Sequence, residues 1–161
     1  LNHRPAVGAI ERIFDEALGR GKSYDEDTFI ASVRGMCAFK NEDAVEKVTP
    51  ILQSSDGPVR VATAAALLKW CGLEGMIVAA PHLKEMLRSA DARLRCAAGE
   101  IILSAGLTTL KQSIVRLLSD TDPAVRRQAQ DKCHAGTVLV IKDSELHYAC
   151  RALGQRGQEF L

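Results

Sequence analysis

The chain has 161 residues, of which 47% are apolar and 25% charged, and its net charge is +1. This is the balance of an ordinary globular chain long enough to bury a real core, so it excludes a wholly disordered chain and a bulk electrostatic pull toward nucleic acid or anionic lipid. Its longest apolar runs, such as "MIVAAP", fall far short of the roughly 20 residues a membrane-spanning helix needs, so no membrane insertion is expected.

In chain order, Val7, Ile10, Phe14 and Leu18 form one amphipathic stripe, and Phe29, Ile30, Val33 and Cys37 a second. Between them "GRGKSYDED" supplies glycine breakers and a Ser/Asp cap, so residues 1–40 are expected to form a degenerate helical hairpin. Three more regular units follow. Each opens with an apolar stripe at helical spacing: Val45, Val48, Ile51 and Leu52; Ile77, Ala80, Leu83 and Leu87; Leu107, Leu110, Ile114 and Leu117. Each stripe ends at a corner: Asp56-Gly57-Pro58-Val59-Arg60, Asp91-Ala92-Arg93-Leu94-Arg95 and Asp122-Pro123-Ala124-Val125-Arg126, at offsets of 35 and 31 residues. A second helix of small and aliphatic residues leaves each corner, as in "VATAAALLKW", "CAAGEIILSAG" and "RQAQDKCHAG". Downstream, "TVLVIKD" reads as a short strand or irregular turn. "SELHYACRALG" reads as a last helix capped by Ser144 and stopped by Gly154, and "QRGQEFL" as a frayed end or cut linker.

The corner composition has a physical cause. Ser54, Ser55 and Asp56, or Asp120 and Asp122, can accept hydrogen bonds from the orphan amides at the start of a second helix. Pro58 and Pro123 suit the first turn, where a residue has no intrahelical partner for its amide. Val59, Leu94 and Val125 are expected to point inward. Thr63 and Ala64, Ala98 and Gly99, and Ala129 are small enough to let paired helices approach closely, and Gly72, Gly106 and Gly136 end the second helices.

At these residues the chain resembles HEAT repeats, particularly the short type called PBS-lyase HEAT-like repeats. "DPAVRRQAQ" matches best, "DGPVRVATAAALLKW" matches well, and "DARLRCAAGE" lacks the proline; the resemblance covers about residues 41–136. It implies an all-α fold, a right-handed α-solenoid of about four helical hairpins with a C-terminal helix, each repeat touching mainly its neighbours. The whole of residues 1–161 then makes one such domain, with 1–40 the degenerate hairpin, 41–136 the three clear repeats and 137–161 a cap or tail. No signal-like segment is read ahead of it, and a first residue of Leu rather than Met suggests part of a larger protein.

Several motifs have a plainer reading than the one they first invite. "GRGKS", residues 19–23, resembles the end of a phosphate-binding loop, but Glu16 stands where that loop needs glycine and an amphipathic helix precedes it, so a turn is expected. Cys133, His134, His147 and Cys150 could be zinc ligands, yet the adjacent Cys133 and His134 point in different directions on a helix, and no metal is expected. Nor do His3, His82, His134 or His147 begin a His-Glu pair of the kind used by di-iron HEAT-repeat hydroxylases. The five cysteines form no Cys-x-x-Cys pair and are expected as buried free thiols of a cytoplasmic protein. Arg60, Arg95 and Arg126 are expected to form a structural ladder with turn aspartates. Seven cations on the second helices face Glu100, Asp131 and four corner aspartates, which leaves about +1 and no uncompensated stripe for a phosphate backbone.

No catalytic dyad or cofactor motif is read, so the expected role is a scaffold or adaptor that binds another protein on the face of the second helices. By the HEAT pattern that face holds Val61, Ala62 and Ala65, then Cys96, Ala97 and Glu100, then Arg127, Gln128 and Asp131, while Trp70 packs in the core or anchors a partner. The alternatives are a nucleic-acid binder like the HEAT-like DNA glycosylases and a lyase-type chaperone for a tetrapyrrole-bearing protein. Self-association stays open.

Overall fold

The computed structural model describes residues 4–20, 25–40, 42–54, 57–107 and 110–134. Its regular elements are α1 (Arg4–Arg20), α2 (Glu26–Lys40), α3 (Glu42–Ser54), α4 (Gly57–Trp70), α5 (Gly72–Met86), α6 (Ala92–Ser104), α7 (Lys111–Leu117) and α8 (Pro123–His134). The fold is all-α, with no strand among the described residues. No helix among them is long and apolar enough to cross a membrane. The expectations for "TVLVIKD", for the last helix at "SELHYACRALG", for residues 21–23 and for the caps Ser55 and Asp56 lie outside the described residues.

The described residues fall into two compact units, one up to His82 and one from Leu83. In the first unit α2 is central, packing on α1, α3 and α4, while α3 also packs on α4. Asp25 starts α2 by accepting from Thr28 N at 2.8 Å and Thr28 Oγ1 at 2.6 Å, and these bonds hold its carboxyl below the usual carboxylate range. The buried side of α2 is Val33, Met36 and Cys37. Across it lies Phe14 of α1, whose ring tilts against Phe29 at 6.0 Å between centroids. On α4 the small Thr63, Ala64 and Ala66 are fully buried, which lets the α2 and α4 backbones come close, and Thr63 satisfies its hydroxyl on the Val59 carbonyl at 2.8 Å.

The stripe of α3 is buried as expected, at Val45, Val48, Ile51 and Leu52, and so are Leu107, Leu110, Ile114 and Leu117 around α7. Two stripes run differently. On α1 the buried line continues from Phe14 to Ala17, and Leu18 is exposed. On α5 it runs through Gly75, Ala79, Leu83 and Met86, leaving Ala80 half-buried and Ile77 64% exposed. A run as apolar as "GMIVAAP" does not reveal which side of a helix faces inward, because almost every register offers an apolar stripe.

Gly75 decides that register. A Cβ there would stand 2.7 Å from Cys71 Cβ and would collide with the Leu67 carbonyl oxygen. Glycine lets α5 begin directly against the last turn of α4. Gly72, with a φ of 55°, makes the turn between them, and Gly106, with a φ of 64°, ends α6; both are left-handed positions that suit glycine. Gly136 lies outside the described residues. In the second unit α6 packs on α7 and α8, and α7 on α8. Ala98, Gly99 and Ala129 are buried as their size suggests; Val125 is buried too, but Leu94 only half.

Candidate functional site

The second unit builds its site from two corners. At the first, Asp91 takes an extended backbone (φ −75°, ψ 114°) and accepts from Arg93 N at 2.8 Å, capping α6. At the second, Asp122 accepts from Ala124 N at 2.8 Å and Val125 N at 3.4 Å, capping α8 in the same way. Two residues earlier, Asp120 accepts from Asp122 N at 2.9 Å and tightens the turn.

The arginines then tie the corners together. Arg95 donates from Nη1 to the carbonyls of Ser89 (2.8 Å) and Ala90 (2.9 Å) in its own corner. Its Nε and Nη2 grip the Asp120 carboxylate of the next corner at 2.8 Å and 2.7 Å. This fork-on-carboxylate pairing holds the Asp120 carboxyl below its ordinary range and raises the guanidinium further. The ladder expected from the sequence is therefore present here as one rung between adjacent corners. Arg126 differs: its Nη1 donates to the carbonyls of Asp120 (2.6 Å) and Thr121 (3.0 Å), so it meets the backbone of its own corner rather than an aspartate side chain. Asp91 and Asp122 are engaged as caps, which is why the inter-corner role falls to Asp120.

These bonds hold α6 beside α8, and a shallow apolar cleft opens between them. It is lined by Cys96, Gly99, Glu100 and Leu103 of α6, Leu117 of α7, and Val125, Gln128 and Ala129 of α8. Gly99 keeps the floor thin, since a Cβ there would meet Leu117 Cδ1 at 2.6 Å. On the rim Gln128 Nε2 donates to Glu100 Oε2 at 3.5 Å.

The candidate binding residues divide between the two units. In the second, Cys96, Glu100 and Gln128 come together at the cleft, Ala97 is half-buried on α6, and Arg127 and Asp131 are exposed on α8. In the first unit Val61 and Ala65 are half-buried, but Ala62 is 6% exposed and belongs to the core. The correction follows from helix packing: α4 lies against both α2 and α3, so only a narrow strip of it reaches solvent. Trp70 is half-buried with Lys69 Nζ 4.7 Å from its ring centroid, and Arg60 is half-buried. What local spacing missed is the pairing of Arg95 with an aspartate 25 residues away. Its one visible trace is the doubled acid of Asp120-Thr121-Asp122, which supplies more acceptors than one cap requires.

Cys37, Cys71 and Cys96 are free thiols; the first two are buried as expected, but Cys96 is half-exposed at the cleft. Burial, reinforced by the neighbouring Cys71, pushes the Cys37 thiol up to about 12, and burial raises Cys71 as well. Burial and the nearby Asp122 and Asp120 raise Cys96 too, so exposure makes the difference: maleimide labelling of the native chain followed by peptide mass spectrometry should modify half-exposed Cys96 at least about tenfold faster than buried Cys37 or Cys71. Equal rates at all three would mean that the first unit opens as readily as the cleft is reached. No group of three His, Cys, Asp or Glu side chains suited to a metal occurs among the described residues, and the Cys133/His134 and His147/Cys150 side chains lie outside them.

No protein-family profile, curated protein or solved structure matches the chain.

Proposed function

We propose that the chain is a non-catalytic protein–protein interaction module, a right-handed solenoid of HEAT-like hairpins that binds a partner protein on its second helices, best defined at α6 and α8. The observation that carries this reading is the cleft between those helices, whose floor is apolar (Leu103, Leu117, Val125) and whose rim is polar (Glu100, Gln128). An apolar centre with a polar rim is the usual anatomy of a protein interface. The small residues that line it, Gly99 and Ala129, suit a partner helix that must lie close.

The stacking pattern supports the same reading. In the first unit α2 packs on α4, and in the second α6 packs on α8, so second helices of successive hairpins lie side by side in each. Nucleic-acid binding and a chaperone role gain less from the site. The cleft's one charged lining residue is Glu100, so a phosphate would meet an acid there.

The test is affinity capture from the source cells with the wild-type chain and a Glu100→Arg, Gln128→Arg double variant. Both residues are on the rim, so the melting temperature should fall by less than about 4 °C. A bona fide partner should be depleted about tenfold or more from the variant. Undiminished recovery of the same partners by a folded variant would move the binding face elsewhere.

A further inference from the structure

Arg95 and Arg126 hold equivalent places in successive corners, each four residues after its capping aspartate, Asp91 or Asp122. Each anchors Nη1 on two carbonyls of its own corner, at 2.8 and 2.9 Å for Arg95 and at 2.6 and 3.0 Å for Arg126. The opposite edges differ. Nε and Nη2 of Arg95 hold the Asp120 carboxylate, whereas the same two atoms of Arg126 donate to no group among the described residues.

An anchored guanidinium with one edge open is a preorganised carboxylate receptor. Of its three remaining N–H donors, the one on Nε and one on Nη2 are coplanar and spaced for both oxygens of one carboxylate, and the Nη1 bonds limit how far the plane can turn. In sequence, the register that gives Arg95 its partner offers no acid one corner on. The step from Arg95 to its partner is 25 residues. The same step from Arg126 reaches Arg151, a cation, and the flanking Ala149, Cys150, Ala152 and Leu153 carry no carboxylate. Arg127, exposed beside it on α8, adds a second positive charge that favours an acidic visitor.

We propose that the Nε–Nη2 edge of Arg126 is a docking point for an Asp or Glu side chain presented by a partner protein, held as Arg95 holds Asp120. This extends the proposed function by naming the chemistry of one partner residue. It concerns the corner rather than the cleft, so either site can fail without the other.

The experiment follows the arginine Nε–H resonances of the full 15N-labelled chain by NMR. The probe is a blocked pentapeptide with one central aspartate, compared with the same peptide carrying asparagine. The Arg126 Nε–H signal should shift saturably with the aspartate peptide and bind it about tenfold more tightly than the asparagine peptide, the difference a charged hydrogen-bond pair makes. Arg95, already paired, should not move. Arg126→Lys keeps the charge but lacks the fork, so it should lose the preference for aspartate. The proposal is overturned if Arg126 shifts no more than the exposed Arg93 and Arg127. It is equally overturned if, before any peptide is added, its Nε–H exchanges as slowly as that of Arg95, since a carboxylate of the chain itself would then fill the edge.

Discussion

Replacing Asp120 by alanine should destabilise the chain by about 2–4 kcal/mol, and Arg95→Ala should cost a similar amount. The size follows from burial and geometry. The Asp120 side chain is 10% exposed and that of Arg95 13%, and the pair is closed by two short parallel bonds. Removing either partner strands a nearly buried charge, which costs more than the net worth of the pair itself. In urea denaturation the double variant should fall short of the sum of the single changes by about 1–3 kcal/mol. Strict additivity would mean that the two groups do not act as one rung. The exposed pair of Arg93 with Asp91, at 3.8 Å and with side chains 95% and 49% exposed, is the internal control and should couple by less than about 0.5 kcal/mol. The pH dependence has a definite sign. Asp120 binds its proton less readily in the folded chain than in the unfolded one, mainly because of the Arg95 bonds. Its contribution is therefore fully present above the unfolded value of about 3.9 and is lost as the pH falls through its lower folded value. The stability difference between the wild-type and Asp120→Asn chains should shrink only below about pH 4.

The second large effect is steric. Gly75→Ala should lower stability by about 2–3 kcal/mol, although alanine is intrinsically the better helix former by about 1 kcal/mol. The added methyl would press on Cys71 Cβ and on the backbone at Leu67, and backbone cannot rotate aside as a side chain can. Gly8→Ala makes the same chemical change in α1, where nothing lies within 4 Å of the new carbon. There the propensity gain is unopposed, and stability should rise by about 0.5–1 kcal/mol. Opposite signs in the two melting curves are the expected result. If both variants gain stability, α5 does not press on α4 at Gly75.

What the sequence disclosed is what is local. Asp91 and Asp122 cap because an acid just before a helix can reach amides two and three residues on, whatever surrounds it. Gly72 and Gly106 sit at left-handed positions because glycine is least strained there. The stripes of α3 and α7 were legible because polar residues flank them and single out one register. Ile77 and Ala62 depart from the sequence pattern for the opposite reason: in "GMIVAAP" and "VATAAALL" nearly every position is apolar, and packing partners distant in sequence choose among them. At the candidate site, the repeat pattern puts Cys96, Glu100 and Gln128 on one face. That Gly99 and Leu117 open a cleft beneath them depends on how three helices meet. The Arg95–Asp120 bond is intermediate: the arginine was legible as a corner residue, but its partner depends on which aspartate the caps leave over.

The junction of α4 and α5 also limits how this chain can change in length. Only Cys71 separates the two helices, and it closes one and opens the other: Cys71 N donates to Leu67 O and Gly75 N to Cys71 O, each at 3.0 Å. There is no loop in which an extra residue could be absorbed. One inserted residue after Gly72 would turn the rest of α5 by about 100°, carrying Gly75 off its contact and turning a bulkier side chain toward the Leu67 carbonyl. A single deletion would turn it as far the other way. The bends at residues 87–91 and 118–122 are not continuous helix, so the added or lost residues that distinguish related chains should collect there and spare the α4–α5 joint.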